Sequence, residues 1–157
     1  MVSLLLRNLF FTILQPGLVA GLFPYWILGD LFSKAFAEPF YGQKYFAILV
    51  FVVGFLVMVF CILQFAVEGR GTLSPIDPTK KLVIKGLYKY SRNPTYAGVV
   101  LMLIGETVFF TSRSLLGYSV FIFLCFHFFV ILVEEPRLRR DFSAEYSIYC
   151  KKVRRWI

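Results

Sequence analysis

Charge is scarce in this sequence. Of its 157 residues, 17% are charged and 59% hydrophobic, against roughly 25% and 45–50% in ordinary soluble domains. The scarcity is also concentrated: residues 8–29 and 45–67 hold no Asp, Glu, Lys or Arg. Since about 20 apolar residues cross a bilayer as a helix, these blocks exclude an ordinary soluble domain and predict a membrane protein. Residues 93–112 carry one charge, Glu106, and residues 114–133 carry none, only the single histidine, His127. The expected fold is all-α and polytopic, a single domain over residues 1–157 with about four transmembrane helices at 8–29, 45–67, 94–112 and 114–133. What lies outside them is too short for a separate soluble domain, so any chemistry sits at or in the membrane.

Cysteine is also sparse. Cys61 and Cys125 fall in apolar spans and Cys150 in a basic tail, which argues against a disulfide framework. There is no Ser/His/Asp triad and no metal-ligating cluster, so no metal is expected. The apolar run after Arg7 continues to Leu28 without a convincing small-residue cleavage site, and it reads as a span rather than a signal peptide.

The basic residues are present in excess, 17 against nine acidic, for a net charge of +8. Thirteen of the 17 lie in two segments, Glu68 to Arg92 and Glu134 onward. An even number of spans separates those segments, and positive residues favour the cytoplasmic side. Both chain ends are therefore expected in the cytoplasm. Anionic lipid headgroups account for the basic excess more economically than a nucleic acid does, and no nucleic-acid partner is expected.

Along the chain, Pro16, Gly17, Gly21 and Pro24 predict a bent or broken first span. Residues 30–44 read as a short external loop with interfacial aromatics. The linker from 68 to 92 is rich in Gly and Pro, and its Tyr88 and Tyr90 alternate with Lys85, Lys89 and Arg92, a pattern suited to the headgroup layer. Pro94 suits the first turn of the third span, where its missing N–H would be unpaired anyway. A tight turn at Arg113 makes spans three and four a hairpin. That hairpin brings Asn93 and Tyr96 to the same membrane face as Glu134 and Glu135. Pro136 predicts a kink or restart there. Beyond it Leu138, Phe142, Tyr146, Tyr149, Val153 and Trp156 recur at helical spacing, the pattern of an amphipathic helix lying on the membrane. Counting back four residues from Leu138 places Glu134 on the buried side, whereas Glu135 is expected to form an exposed pair with Arg139.

Two groups sit deeper. Glu106 lies ten residues, roughly 15 Å, beyond Tyr96, and His127 lies about 10 Å inside the surface defined by Glu134. A carboxylate at that depth is costly and must meet a helix partner or a cavity. Both residues are candidates for the inner wall of a substrate site and for facing the acceptor there.

The segments Gly71 to Pro78, Lys80 to Tyr88 and Arg92 to Gly98 resemble the membrane methyltransferases that include isoprenylcysteine carboxyl methyltransferase and phospholipid N-methyltransferase. So do Glu134-Glu135-Pro136-Arg137-Leu138, Phe142 to Tyr146 and Val153 to Trp156. The resemblance covers about residues 69–157. It implies S-adenosylmethionine as methyl donor, with Lys80, Lys81, Leu82, Val83, Tyr88, Asn93, Pro94, Thr95 and Tyr96 lining it and Glu134 and Glu135 at its polar groups. It also implies a lipid or lipidated acceptor, a phospholipid amine or an isoprenylcysteine carboxylate. Asn93 stands where the carboxyl methyltransferases have His, and Val130 where they have Arg. The Asn-Pro-x-Tyr and Glu-Glu-Pro elements are closer to the phospholipid N-methyltransferase pattern. Ser143 replaces the usual Gly. The competing reading is a small non-catalytic helical scaffold or accessory subunit that binds anionic lipid; the oligomeric state is not legible in the sequence.

Overall fold

The computed structural model describes residues 16–64 and 82–156. Lys80, Lys81, most of the Gly/Pro-rich linker and the outer ends of the first two predicted spans lie outside the described residues. Within them the fold is all-α. A π-helical turn at Leu18–Leu22 runs into α1, Phe23–Leu28, and α2 covers Asp30–Ala37. Helix α3 is Gly42–Gln64, a 3-10 turn occupies Gly86–Lys89, and α4 is Pro94–Phe110. Helix α5, Arg113–Phe129, continues through a second π-helical turn, Val130–Glu134, into α6, Glu135–Lys152. Two helical stretches are long and apolar enough to cross a membrane, Gly42–Gln64 and the continuous Arg113–Lys152, while Leu18–Leu28 and Pro94–Phe110 are apolar but shorter.

Each π turn stands just before a proline. Proline lacks an N–H and its ring crowds the carbonyl four residues back, which is Ala20 for Pro24 and Leu132 for Pro136. A widened turn at those places absorbs the crowding without ending the helix. At Pro24 the accommodation includes a non-helical Ala20, φ −109°, ψ 20°, so this segment is bent as its prolines predict. At Pro136 the chain stays helical, and the break comes seven residues later at Ser143, φ 32°, ψ −103°.

The helices α3 and α4 pack antiparallel at very close range. A Cβ placed on Gly54 would lie 2.6 Å from the Gly98 carbonyl, and one on Gly105 would lie 2.8 Å from the Ala47 carbonyl. Small residues thus recur every seven positions, at Ala47, Gly54 and Cys61 on α3 and at Gly98 and Gly105 on α4. This arrangement lets backbones approach where lipid offers no hydrophobic force between helices. Met58, Ile62, Val99, Met102 and Leu103 form the buried cluster beside it, joined by Ala20.

The expected external loop over residues 30–44 instead contains α2. Phe32 and Phe36, four residues apart and so on one helical face, rest on the end of α4. Phe32 stacks on Phe110 at 5.6 Å between ring centroids, and Phe36 meets Phe109 at 5.4 Å. Lys44 is buried there, its Nζ donating to the Ala35 carbonyl at 2.6 Å near the C-terminal end of α2, where a cation is favoured. The hairpin predicted at Arg113 is present: Ser112 caps α5 by accepting from the Leu115 N–H at 3.3 Å.

The apolar stripe of α6 departs from the interfacial role expected of it. Tyr146, Tyr149 and Val153 are buried together with Leu82, Leu138, Phe142 and Cys150, and the Tyr149 hydroxyl donates to the Tyr88 carbonyl at 2.6 Å. The stripe therefore packs on the chain leading into α4. Helix α6 closes over the end of the hairpin.

Candidate active site

At the start of α4 the chain runs through Arg92 and Asn93 into Pro94, which is buried at the first helical position. That geometry aims Thr95 and Tyr96 back toward the linker and the end of α5. The Thr95 hydroxyl meets the Tyr88 hydroxyl at 3.0 Å. Tyr96 donates to Glu134 Oε1 at 2.7 Å, and its ring rests on Phe126 at 4.7 Å. Glu134, the last residue of the second π turn, is thereby oriented by a phenol from the neighbouring helix.

Glu135 has a different environment from the exposed pair with Arg139 expected of it. It is 6% exposed and takes a bidentate contact from Arg155, Nε at 2.6 Å and Nη2 at 3.2 Å. Arg92 Nη1 stands 3.3 Å from the same carboxylate. Burial raises the Glu135 pKa, but the Arg155 hydrogen bond and the positive charges of Arg92, Arg155 and Arg139 outweigh it and hold the group below the ordinary carboxylate value. The reason for the departure lies in the π turn. By widening the helix before Glu134 it turns two successive carboxylates inward, one toward Tyr96 and one toward the C-terminal segment, where regular α-helical register allows only one.

Between these groups lies a small cavity of about 50 Å³, lined by Leu82, Val83, Tyr88, Arg92, Asn93, Val130, Glu134, Glu135, Leu138, Tyr146 and Tyr149. Burial pushes the Tyr88, Tyr146 and Tyr149 phenols well above their usual pKa, so each is a neutral hydroxyl near pH 7. Arg92 Nη1 donates to Cys150 Sγ at 2.8 Å and to the Tyr146 hydroxyl at 3.4 Å. Its Nε is buried and has no hydrogen-bond partner among the described residues. An orphaned buried guanidinium donor is an uncommon arrangement, and it belongs to a residue that lines the cavity.

Six of the predicted cofactor residues line the cavity: Leu82, Val83, Tyr88, Asn93, Glu134 and Glu135. Thr95 and Tyr96 reach it through Tyr88 and Glu134. Neither Glu106 nor His127 lines it. Glu106 lies in the second half of α4, with Oε2 buried and unpartnered among the described residues. His127 Nδ1 accepts from Trp156 Nε1 at 3.1 Å, and the two rings stack at 6.1 Å. The sequence reading did not select Arg92, Val130, Leu138, Tyr146 or Tyr149 as site residues. Three of these lie on the stripe of α6 or at its start, and Arg92 immediately precedes Asn93-Pro94, so their signal was adjacency to residues already chosen.

An all-helical membrane protein with a cavity of mixed charge and aromatic wall, at the junction of a helical hairpin and its flanking segments, is the class that fold and site define. Residues 42–145 match the family described as phospholipid methyltransferase, and the chain belongs to that family. It is also similar to the protein-S-isoprenylcysteine O-methyltransferase of Saccharomyces cerevisiae, 39% identical over 89 residues. That match takes in 52% of this chain and 36% of the yeast protein, so the chain spans about a third of its relative's length. No solved structure matches the chain.

Proposed function

We propose that this protein transfers a methyl group from S-adenosylmethionine to a lipid or lipidated acceptor, a phospholipid amine or an isoprenylcysteine carboxylate, at the cytoplasmic face of the membrane. The single observation that carries this reading is the cavity in which a phenol-oriented carboxylate, Glu134, and an arginine with a spare buried donor, Arg92, share one wall. The methyl donor has an ammonium, a carboxylate, a ribose and an adenine. Glu134 suits the ammonium or hydroxyl groups, Arg92 and Asn93 suit acceptor oxygens, and Tyr88, Tyr146, Val83 and Leu138 offer surface to a flat base. The residues present therefore fit the donor chemically. The volume is below the roughly 300–1,000 Å³ of complete ligand sites, so the described residues supply part of such a site.

When bound, the donor supplies an electrophilic methyl on a sulfonium. The chain's own contribution is alignment and exclusion of water. Tyr96 holds the Glu134 carboxylate at one rotamer, Tyr149 ties α6 to the linker, and Val130 and Leu138 keep the wall dry. In this reading the chain has four spans with the outer ends of the hairpin in the cytoplasm, and the wall lies at the headgroup level, where a lipid acceptor enters sideways. The basic outer face of α6, with Arg139, Arg140, Lys151 and Lys152 exposed, suits anionic headgroups.

The test is binding of S-adenosylmethionine by purified protein in lipid nanodiscs, then transfer of a labelled methyl to a total lipid extract. Glu134→Gln and Tyr96→Phe each remove or weaken a charge-assisted hydrogen bond and should lower donor affinity by about ten- to a hundredfold; Lys152→Ala should not change it. Equal losses in all three variants would show that the site is elsewhere, and absence of binding in folded protein removes the reading. Base-labile label identifies a methyl ester and base-stable label an N-methyl group.

A further inference from the structure

The segment after α6, residues 153–156, is fastened to the start of α4 and to α5. The Arg92 N–H donates to the Arg154 carbonyl at 2.9 Å, within an isolated parallel bridge between Ser91 and Arg154. Asn93 Nδ2 donates to the Arg155 carbonyl at 3.0 Å, and Trp156 is held on His127 of α5. These bonds fix the backbone on either side of Arg155, whose guanidinium then grips both oxygens of Glu135.

The charges in this region make the grip consequential. The Glu135 carboxylate lies between two guanidinium groups, those of Arg92 and Arg155. A buried charge must be paired. Because Arg155 satisfies both carboxylate oxygens, Arg92 needs to spend only Nη1 on Glu135, at 3.3 Å, and its Nε is left over. Without Arg155 the buried carboxylate has Arg92 as its remaining strong partner, the side chain is drawn onto it, and one positive charge is lost from the surroundings of the cavity.

We propose that Arg155 is a positioning residue: by clamping Glu135 it frees Arg92 to bind the carboxylate of the methyl donor. This assignment rests on the methyl-donor reading above, and it makes the strap after α6 part of the donor site. Its signature is selectivity, because only a ligand that bears the carboxylate benefits from a freed Arg92.

The experiment compares two ligands on the full-length chain in nanodiscs, S-adenosylmethionine and its decarboxylated counterpart, by isothermal titration. Arg155→Ala should weaken the first by about ten- to a hundredfold, the range for losing a hydrogen bond between charged groups, and the second by no more than about threefold. Arg155→Lys keeps the charge but loses the fork and should fall between; it also serves where the alanine variant does not fold. Equal losses for both ligands, or none for either, overturn the assignment while leaving the methyl-donor reading intact. A higher KM for the lipid acceptor with donor binding unchanged overturns it as well. Wild-type protein that binds neither ligand removes the methyl-donor reading and this assignment with it.

Discussion

Two glycine-to-alanine changes, chemically identical, should have opposite signs. At Gly117, in α5, a Cβ meets nothing within 4 Å, so alanine there gains the usual helix advantage of about 0.5–1 kcal/mol. At Gly54 the same atom lies 2.6 Å from the Gly98 carbonyl, 2.8 Å from the Met102 amide nitrogen and 2.9 Å from the Leu101 Cβ. The first two are backbone atoms of α4 and have no rotamer to escape into. Relief requires the helices to move apart, which also loosens the contacts of Gly98 and Gly105 along the same seam. Overpacking of this kind costs about 1–3 kcal/mol, enough to exceed the helix advantage. At about 2–4 °C per kcal/mol for a chain of this size, Gly117→Ala should raise the thermal midpoint by a degree or more, and Gly54→Ala should lower it by up to several degrees. The measurement is thermal unfolding of both variants in one detergent. A Gly54→Ala protein as stable as Gly117→Ala would refute the close approach of α3 and α4.

Two further outcomes are expected. The Glu135 carboxyl is held below its ordinary value of 4.5, so its contribution to stability is fully present above that pH and is lost as pH falls through the lowered folded value. Melting curves between pH 7 and pH 3 should therefore show wild-type protein losing its advantage over Glu135→Gln below about pH 4.5; a constant gap would mean that the carboxylate is not the source. Ser143→Gly should stabilise the protein by about 1 kcal/mol, since Ser143 sits at φ 32°, in a region where strain of about 1–3 kcal/mol falls on residues with a Cβ; unchanged or lower stability in chemical unfolding would count against that backbone conformation.

The sequence carries the large features of this molecule because they are written in composition. Uncharged runs of spanning length, the hairpin turn at Ser112 and the bent first segment all follow from residue types whose physics is local. So do Asn93, Tyr96 and Glu134, placed near one another by the hairpin alone. What was hidden depends on a register or a rotation. The π turn before Pro136 inverts the expected standing of Glu135 and moves the helix break to Ser143, and no local propensity announces a widened turn. The seven-residue spacing of Ala47, Gly54 and Cys61 against Gly98 and Gly105 was present in the letters, but it becomes informative only when two helices are known to be antiparallel neighbours. Phe32 and Phe36 read as interfacial anchors until α4 supplies the rings they rest on.

The bond from Asn93 to the Arg155 carbonyl spans 62 residues of chain, and this sets an order of events during synthesis. At about 5–20 residues per second, residue 155 is made roughly 3–12 seconds after Asn93. In that interval Arg92 and Glu135 have each other but lack the guanidinium that balances them, and the start of α4 lacks the backbone that pairs with Ser91 and Arg92. A nascent chain that has not yet reached residue 153 thus has no finished site. The site is complete only after the strap has closed, which makes its assembly one of the last steps in folding.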